Sequence, residues 1–308
     1  MNIFWQYALI FAVFIALSLL NMGIITKVKA FFGGRKGAPV LQKLYDIIKL
    51  WQKDITLSTT TSWIFFAGPF LSVLVPLIAF AMVPFGSVHA LISFEGDFIL
   101  FLYLFALLRF FTVASALDTG SSFEGMGGAR EITFSVLIEP ILFVCFIILA
   151  KISNSLALEN LFGIHSFTSW THDSTVLTIV VFSLFVVMLA ENSRVPFDDP
   201  NTHLELTMVH EVMVLDHSGP LLGLITLGSA LKLTLFALLI SHLLLPLHTD
   251  IFWLDLVLSA FVSMGVVACV GICESLIARL RIVAIKNILL GTFVIALFGI
   301  IMITRQSL

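Results

Sequence analysis

The amino-acid sequence predicts an all-α integral membrane protein that crosses the bilayer eight times. The first observation is the composition: 59% of the 308 residues are hydrophobic and only 11% are charged, whereas soluble domains average about 25% charged residues. A soluble fold with so few charged side chains would lack the polar groups to cover its surface. The second observation is the length of the apolar runs, which suits membrane helices rather than the alternating strands of a barrel.

The apolar runs give the predicted spans in order along the chain. They cover residues 3–26, 62–85, 98–117, 131–152, 174–191, 220–246, 251–275 and 285–303. The first run follows no basic region and precedes no small-residue cleavage site, so we expect a retained helix rather than a signal peptide. An even number of spans places both termini on one side of a single transmembrane domain, residues 1–308.

Lysine and arginine are concentrated in the loops after the odd-numbered spans. These predicted loops are residues 27–61, 118–130, 192–219 and 276–284. The loops on the opposite side have almost no basic residues, apart from Lys151 at a boundary. Because cytoplasmic loops carry an excess of Lys and Arg, we expect the odd-numbered loops to be cytoplasmic and both termini to lie outside, in the cytoplasmic (inner) membrane.

Two of these loops contain predicted amphipathic helices. In residues 40–53, VLQKLYDIIKLWQK, apolar residues recur at helical spacing between lysines, which predicts a helix on the membrane surface or under a partner. In the fifth loop, Thr202 to Glu205 has the pattern of a capping box, and it predicts a helix near 203–217 that ends before Gly219.

Three charged residues fall near the middle of predicted spans. Arg109, Glu139 and Lys232 lie roughly 12–18 Å along their helices, at about half depth. They could form a structural ion-pair network, or they could belong to a proton path that continues through the acidic residues at span ends, Glu131, Glu191 and Glu274. Their mixed signs at one depth favour the path.

The histidines and cysteines do not predict a metal or redox centre in this chain. His203, His210 and His217 are seven residues apart, about 10.5 Å along a helix, which is too far for one shared ion. We expect surface histidines that titrate or donate hydrogen bonds. The three cysteines lie within apolar runs without a CxxC pair, which is typical of buried thiols rather than of iron–sulfur ligation. Nothing in the charge pattern predicts nucleic-acid binding.

Several longer motifs resemble one membrane-protein family. GGRKGAPVLQKLYDIIKLWQK is similar to the first cytoplasmic loop of the membrane subunit shared by respiratory complex I and the energy-converting nickel–iron hydrogenases. ENSRVPFDDPNTHLELTMVHE resembles the same family's acidic loop. LDTGSSFEGMGGAREITFSVLIEP and CESLIARLR are closer to the hydrogenase branch, which includes formate hydrogenlyase, than to the quinone-reducing branch. His217 departs from the glutamate–tyrosine pair of many hydrogenase relatives.

The resemblance implies a membrane-anchoring, proton-coupling subunit without a redox centre of its own. The nickel–iron centre and iron–sulfur clusters would belong to partner subunits: hydrogenase-like large and small subunits and an iron–sulfur subunit, alongside antiporter-like membrane subunits. Residues expected in the proton path are Arg109, Glu131, Glu139, Glu191, Glu205, Glu211, Lys232 and Glu274. Residues expected where the peripheral arm docks are Arg35, Lys36, Asp46, Arg194, Asp198 and Asp199.

Other functions remain as alternatives at this stage. Within the family, the spans could line the quinone chamber of a complex I-type NADH- or ferredoxin:quinone oxidoreductase. A stand-alone secondary transporter is disfavoured because we find no internal repeat. An intramembrane metalloprotease is disfavoured because HExxH is absent.

Overall fold

The structure, a computed structural model, describes residues 3–85, 88–163, 167–198, 209–245 and 251–306. Ten α-helices occupy this part of the chain: α1 Ile3–Phe32, α2 Gln42–Trp51, α3 Trp63–Ala81, α4 Asp97–Asp118, α5 Ser122–Ser153, α6 Leu158–Gly163, α7 Phe167–Glu191, α8 Gly219–Leu244, α9 Phe252–Leu276 and α10 Ile282–Gln306. A 3₁₀ helix at Glu211–Val214 precedes α8.

Eight of these helices are long and apolar enough to cross a membrane, as the sequence predicted. They are α1, α3, α4, α5, the part of α7 from Asp173 onward, α8, α9 and α10. The all-α prediction is confirmed. Successive spans alternate in direction, so the connections after spans one, three, five and seven share one side, here called the odd-loop face.

The largest differences between the predicted and observed spans are at the end of α1 and at the start of α5. Helix α1 continues to Phe32, six residues beyond its predicted end. Helix α5 begins at Ser122 rather than 131, so the predicted loop 118–130 shortens to the turn at 119–121. Gly120 adopts a positive φ in that turn. The first turns of α5 pack closely at Gly127, where an added Cβ would lie 3.0 Å from the Val209 carbonyl oxygen. The polar residues 122–130 thus extend helix α5, because their glycines permit close packing.

The loop helices differ from each other in how far they form. Helix α2 occupies the first loop, with Ile47 buried and Tyr45 and Ile48 exposed, and its position on the membrane surface or under a partner stays a prediction. In the fifth loop, residues 203–208 lie outside the described residues. From 209 to 217 the structure has only the short 3₁₀ helix, so the predicted helix does not extend to 217.

Helix α8 is the centre of the bundle. It contacts α1, α2, α3, α7 and α9, and 67% of its most apolar stretch is buried, against 28% for α10. Close contact with α3 requires a residue without a side chain at Gly228, where an added Cβ would lie 2.3 Å from the Ser72 carbonyl oxygen. This close approach brings the middle of α8, and with it Lys232, against the neighbouring helices.

Candidate functional site

Arg109, halfway along α4, is the centre of a buried ionic cluster. Its Nη1 donates to Glu139 on α5 and its Nη2 donates to Glu191 at the end of α7. Its Nε lies 3.8 Å from Glu131 Oε1, two turns before Glu139 on α5. One guanidinium therefore contacts three carboxylates that come from two different helices.

Lys232 on α8 joins the same group. Its Nζ lies 3.4 Å from Glu191 Oε2. Glu191 thus contacts both cations and links the three mid-span charges that the sequence placed at one depth. We call Arg109, Glu131, Glu139, Glu191 and Lys232 the Arg109 cluster. With every group ionised, its two cations and three carboxylates leave one negative charge in excess.

The carboxylates of the Arg109 cluster differ sharply in exposure. The Glu191 side chain is 6% exposed and that of Glu131 is 17% exposed, whereas that of Glu139 is 51% exposed. Glu139 shares the outward side of α5 with Ile132, Val136 and Phe143, which are also exposed. The cluster therefore extends from the interior of the bundle to its outer surface at mid-membrane depth.

A cavity of about 70 Å³ borders the cluster on its inner side. Arg109, Glu131, Glu191 and Lys232 line one part of the cavity, and Ser115, His210 and His217 line another, toward the odd-loop face. A cavity needs roughly 10–15 Å³ per water molecule, so this one has room for a few waters. Pockets for small organic ligands are much larger, about 300–1,000 Å³. Among the mostly apolar side chains of the wall stand acids, bases and hydroxyls, and these polar groups can hold bound water.

The two described histidines of the fifth loop line the cavity instead of the protein surface. His217 is buried, its ring stacks on Phe65 at 4.1 Å, and its Nε2 lies 3.3 Å from Ser115 Oγ. Burial lowers the pKa of His217 to about 4. Burial, and then the positive charge of Lys232, lowers the pKa of His210. The expectation of surface histidines is wrong for His217, because the chain before α8 turns inward over the cavity. His203 lies outside the described residues.

A second group of buried ion pairs ties the odd-loop face together. Glu274 on α9 pairs with Lys29 at 2.9 Å and with Arg194 at 3.5 Å. Asp198 pairs with Arg279 at 2.9 Å. We call these five residues the loop network. Glu274 was predicted in the proton path, but its ion pairs lie in this network and not in the Arg109 cluster.

The residues predicted to dock a peripheral arm fall into two groups. Arg35 and Lys36 are exposed, and Asp46 is half-buried on α2, where it accepts a hydrogen bond from Gln42. Arg194 and Asp198 are buried, at 9% and 3% exposed, with their charges engaged inside the chain. Whether these two side chains take part in docking stays a prediction. Asp199, also predicted for docking, lies outside the described residues. Of the residues predicted for the proton path, Glu205 lies outside them as well, and Glu211 is the first residue of the 3₁₀ helix.

Sequence analysis missed three buried acids: Asp97, Asp255 and Glu124. Glu124 is the one near the odd-loop face. It is 0% exposed in the first turn of α5, where it accepts hydrogen bonds from the Thr119 hydroxyl and from the Asp216 backbone N–H, the latter at 3.0 Å. The surrounding GSSFEGMGG has the composition of an exposed loop, so no sequence signal marked it. Among the residues that the structure describes, no three His, Cys, Asp or Glu side chains are placed to share a metal ion.

One family model and two named relatives match nearly the whole chain. A family model described as NADH dehydrogenase matches residues 5–305. Hydrogenase-4 component C of Escherichia coli (strain K12) is 29% identical over 295 residues, covering 92% of this chain and 91% of the relative. Formate hydrogenlyase subunit 4 of the same organism is 29% identical over 287 residues, covering 93% of this chain and 86% of the relative.

A solved structure has the same fold. A chain of the membrane-bound sulfane sulfur reductase, an archaeal respiratory membrane complex, superimposes with a TM-score of 0.84 over 98% of this chain and 100% of that chain. The two sequences are 20% identical. The similarity therefore supports the arrangement of the helices and says nothing about the reaction.

Proposed function

Since the chain belongs to the NADH dehydrogenase family, we propose that it is the membrane-anchoring, proton-coupling subunit of a complex I-like energy-converting hydrogenase. Two relatives that span nearly its whole length are a hydrogenase-4 component and a formate hydrogenlyase subunit. In this proposal the chain itself holds no redox centre. The nickel–iron centre and the iron–sulfur clusters belong to hydrogenase-like large and small subunits and an iron–sulfur subunit.

The observation that carries the proposal is the Arg109 cluster beside its small cavity. Charged side chains in the middle of a membrane are costly and are typical of ion paths. Here they begin at a cavity wall near the odd-loop face and end at the half-exposed Glu139. Waters in the cavity would exchange protons with Glu131 and Glu191, and Arg109 would hold the negative charge of these carboxylates in place. A proton would then leave through Glu139.

A quinone chamber is the other function open to this family. The cavity volume argues against it, because about 70 Å³ is well below the size of typical organic-ligand pockets. We therefore place quinone reduction second.

The odd-loop face is the side on which we place the electron-transfer arm. Arg35 and Lys36 are exposed there, next to the exposed Tyr45 and Ile48 of α2. A basic loop favours the cytoplasmic side of an inner membrane, which puts both termini outside. A cysteine in place of Arg35 should react with an impermeant thiol reagent only from the cytoplasmic side. Labelling from outside would reverse the orientation.

The outward side of α4 and α5 is where we place a neighbouring membrane subunit. A carboxylate that is 51% exposed at mid-bilayer has no water to solvate it in lipid. A second copy of this chain packed there by two-fold symmetry would bring two Glu139 carboxylates together, which is repulsive. A different subunit that presents a cationic or hydrogen-donating side chain, as an antiporter-like subunit would, satisfies the excess negative charge.

Replacing Glu139 by Gln in the intact complex tests the proposal. The variant keeps the size of the side chain and removes the titratable proton, while Arg109 retains Glu131 and Glu191. We expect the complex to assemble with its arm attached, and ion translocation per electron transferred to fall about tenfold or more. Translocation is measured in proteoliposomes alongside the redox reaction.

Glu274→Gln is the matched control, because it removes one buried carboxylate from the loop network. It should lower the thermal stability of the complex without changing the ratio of ions moved to electrons transferred. Full translocation in an assembled Glu139→Gln complex would exclude Glu139 from the path. If Glu274→Gln lowered the ratio of ions moved to electrons transferred as much as Glu139→Gln, the two groups of charges would not differ in function and the proposal would fail.

A further inference from the structure

Residues 209–217, here called the roof segment, cover the cavity from the odd-loop face. Val209, Val212, Met213 and His217 are buried, and His210, Met213, Val214 and His217 line the cavity. A segment with a single four-residue 3₁₀ helix has few internal hydrogen bonds to keep its shape. Its position over the cavity must therefore come from contacts with other parts of the chain.

Asp198 holds the first end of the roof segment. Its Oδ2 accepts hydrogen bonds from the backbone N–H groups of Val209 and His210, both at 3.1 Å. Its Oδ1 pairs with Arg279 at 2.9 Å, and the Leu280 N–H donates to the Pro196 carbonyl oxygen at 3.1 Å. The carboxylate therefore ties the roof segment to the connection between α9 and α10.

Glu124 holds the other end. Its Oε1 accepts a hydrogen bond from the Asp216 N–H at 3.0 Å, and its Oε2 accepts one from the Thr119 hydroxyl. Between the two anchors, the roof segment lies against Gly127 of α5, whose missing side chain leaves room for Met213 and Val212. Two buried carboxylates on different elements thus bind backbone N–H groups at opposite ends of one short segment.

We propose that Glu124 and Asp198 are positioning residues, which fix the two ends of the roof segment and so keep His210 and His217 in the wall of the cavity. The inference rests on the proposed function in one respect only, which is the role of the cavity in ion movement. Charge-assisted hydrogen bonds from backbone N–H groups to carboxylates are short and strong. The anchors therefore set where the histidines stand relative to Lys232 and Ser115.

Hydrogen–deuterium exchange of the intact, detergent-purified complex tests the two anchors separately. Glu124→Ala should speed exchange about tenfold or more in peptides that cover 214–217, because a charged hydrogen bond is lost there. Asp198→Ala should do the same for 209–211. Glu124→Gln should return exchange to nearly the original rate, since its amide oxygen can still accept from the Asp216 N–H. Unchanged exchange in an assembled Glu124→Ala complex, or a Gln variant as fast as the Ala variant, would overturn the inference.

Asp118→Ala is a matched control at the end of α4. Asp118 also accepts a backbone N–H and a hydroxyl, both from Ser62, at 2.6 and 2.9 Å. Its loss should leave exchange in 209–217 unchanged, and a comparable increase there would overturn the inference. If Glu124→Ala yields no complex, Glu124→Asp replaces it: the shorter side chain should also speed exchange in 214–217, and no change would overturn the anchor. Exchange does not depend on what the complex transports, so failure of the anchors and failure of the proposed ion path are separate results.

Discussion

The Arg109 cluster and the loop network are built from the same residue types but differ in their surroundings. Arg109 and its partners border a cavity and reach the outer surface at Glu139. In the loop network, the Glu274 side chain is 1% exposed, and Asp198 binds backbone N–H groups as well as Arg279. The Arg109 cluster has an excess of carboxylates, whereas the loop network has three cations to two carboxylates.

The difference teaches that access to water, rather than residue type, separates a candidate ion path from a structural network. A carboxylate beside a cavity with room for water can exchange a proton, and an excess acid in the group gives that proton a place to reside. A carboxylate away from the cavity, like the two of the loop network, instead holds the chain in place through its contacts with cations and backbone N–H groups. The predictions below test this contrast, beginning with the largest expected effect.

Removing one arginine from each group should lower the stability of the complex by unequal amounts. Arg109→Leu leaves Glu131, Glu139 and Glu191 without their shared guanidinium, and breaking a buried pair costs about 3–5 kcal/mol. We expect little assembled complex. Arg194→Leu should be milder, because Lys29 still pairs with Glu274 at 2.9 Å. The yield of complex and its thermal midpoint measure both, and equal losses would contradict the contrast.

His217, which lines the cavity, should make the stability of the complex depend on pH. The pKa of His217 is about 4 when folded and 6.5 in its ordinary state, so the unfolded chain binds more protons between these values. The contribution of His217 to the free energy of unfolding is therefore fully present above pH 6.5. It falls by about 3 kcal/mol as the pH is lowered to 4. The thermal midpoint of the complex, measured from pH 7 to pH 4, should fall less in His217→Asn than in the original protein. Parallel curves would show that His217 is not the source.

The smallest effect on folding is expected on the outward side of α5. Val136 lies one turn before Glu139 and is 64% exposed, so Val136→Cys should change the free energy of unfolding by less than about 0.5 kcal/mol. With a short thiol-to-amine or photoreactive cross-linker, we expect it to join a transmembrane peptide of a different subunit, identified by mass spectrometry.

Val294→Cys provides the comparison for that experiment. Val294 is 63% exposed and lies near the middle of α10, in an apolar stretch. It should give a much lower cross-linking yield. A product between two copies of this chain at Val136, or equal yields at the two positions, would contradict a partner on the α4 and α5 side.

Much of the architecture followed from local sequence. The eight spans were predictable because hydrophobic length is a property of each segment alone, and the bilayer sets that length. Helical rise also gave the common depth of Arg109, Glu139 and Lys232. Motifs quoted from the first and fifth loops identified the family that the family model also matches.

Only the tertiary structure decided which charges meet. Periodicity sets the depth of a residue, but the rotation and neighbours of its helix come from packing contacts such as that between Gly228 and Ser72. For this reason the sequence did not show that Glu191 links Arg109 to Lys232, or that Glu274 lies in a different network. Glu124 and Asp198 have the sequence context of exposed loop acids, and they became buried anchors because the chain on either side folds inward, where backbone N–H groups far away in sequence need acceptors.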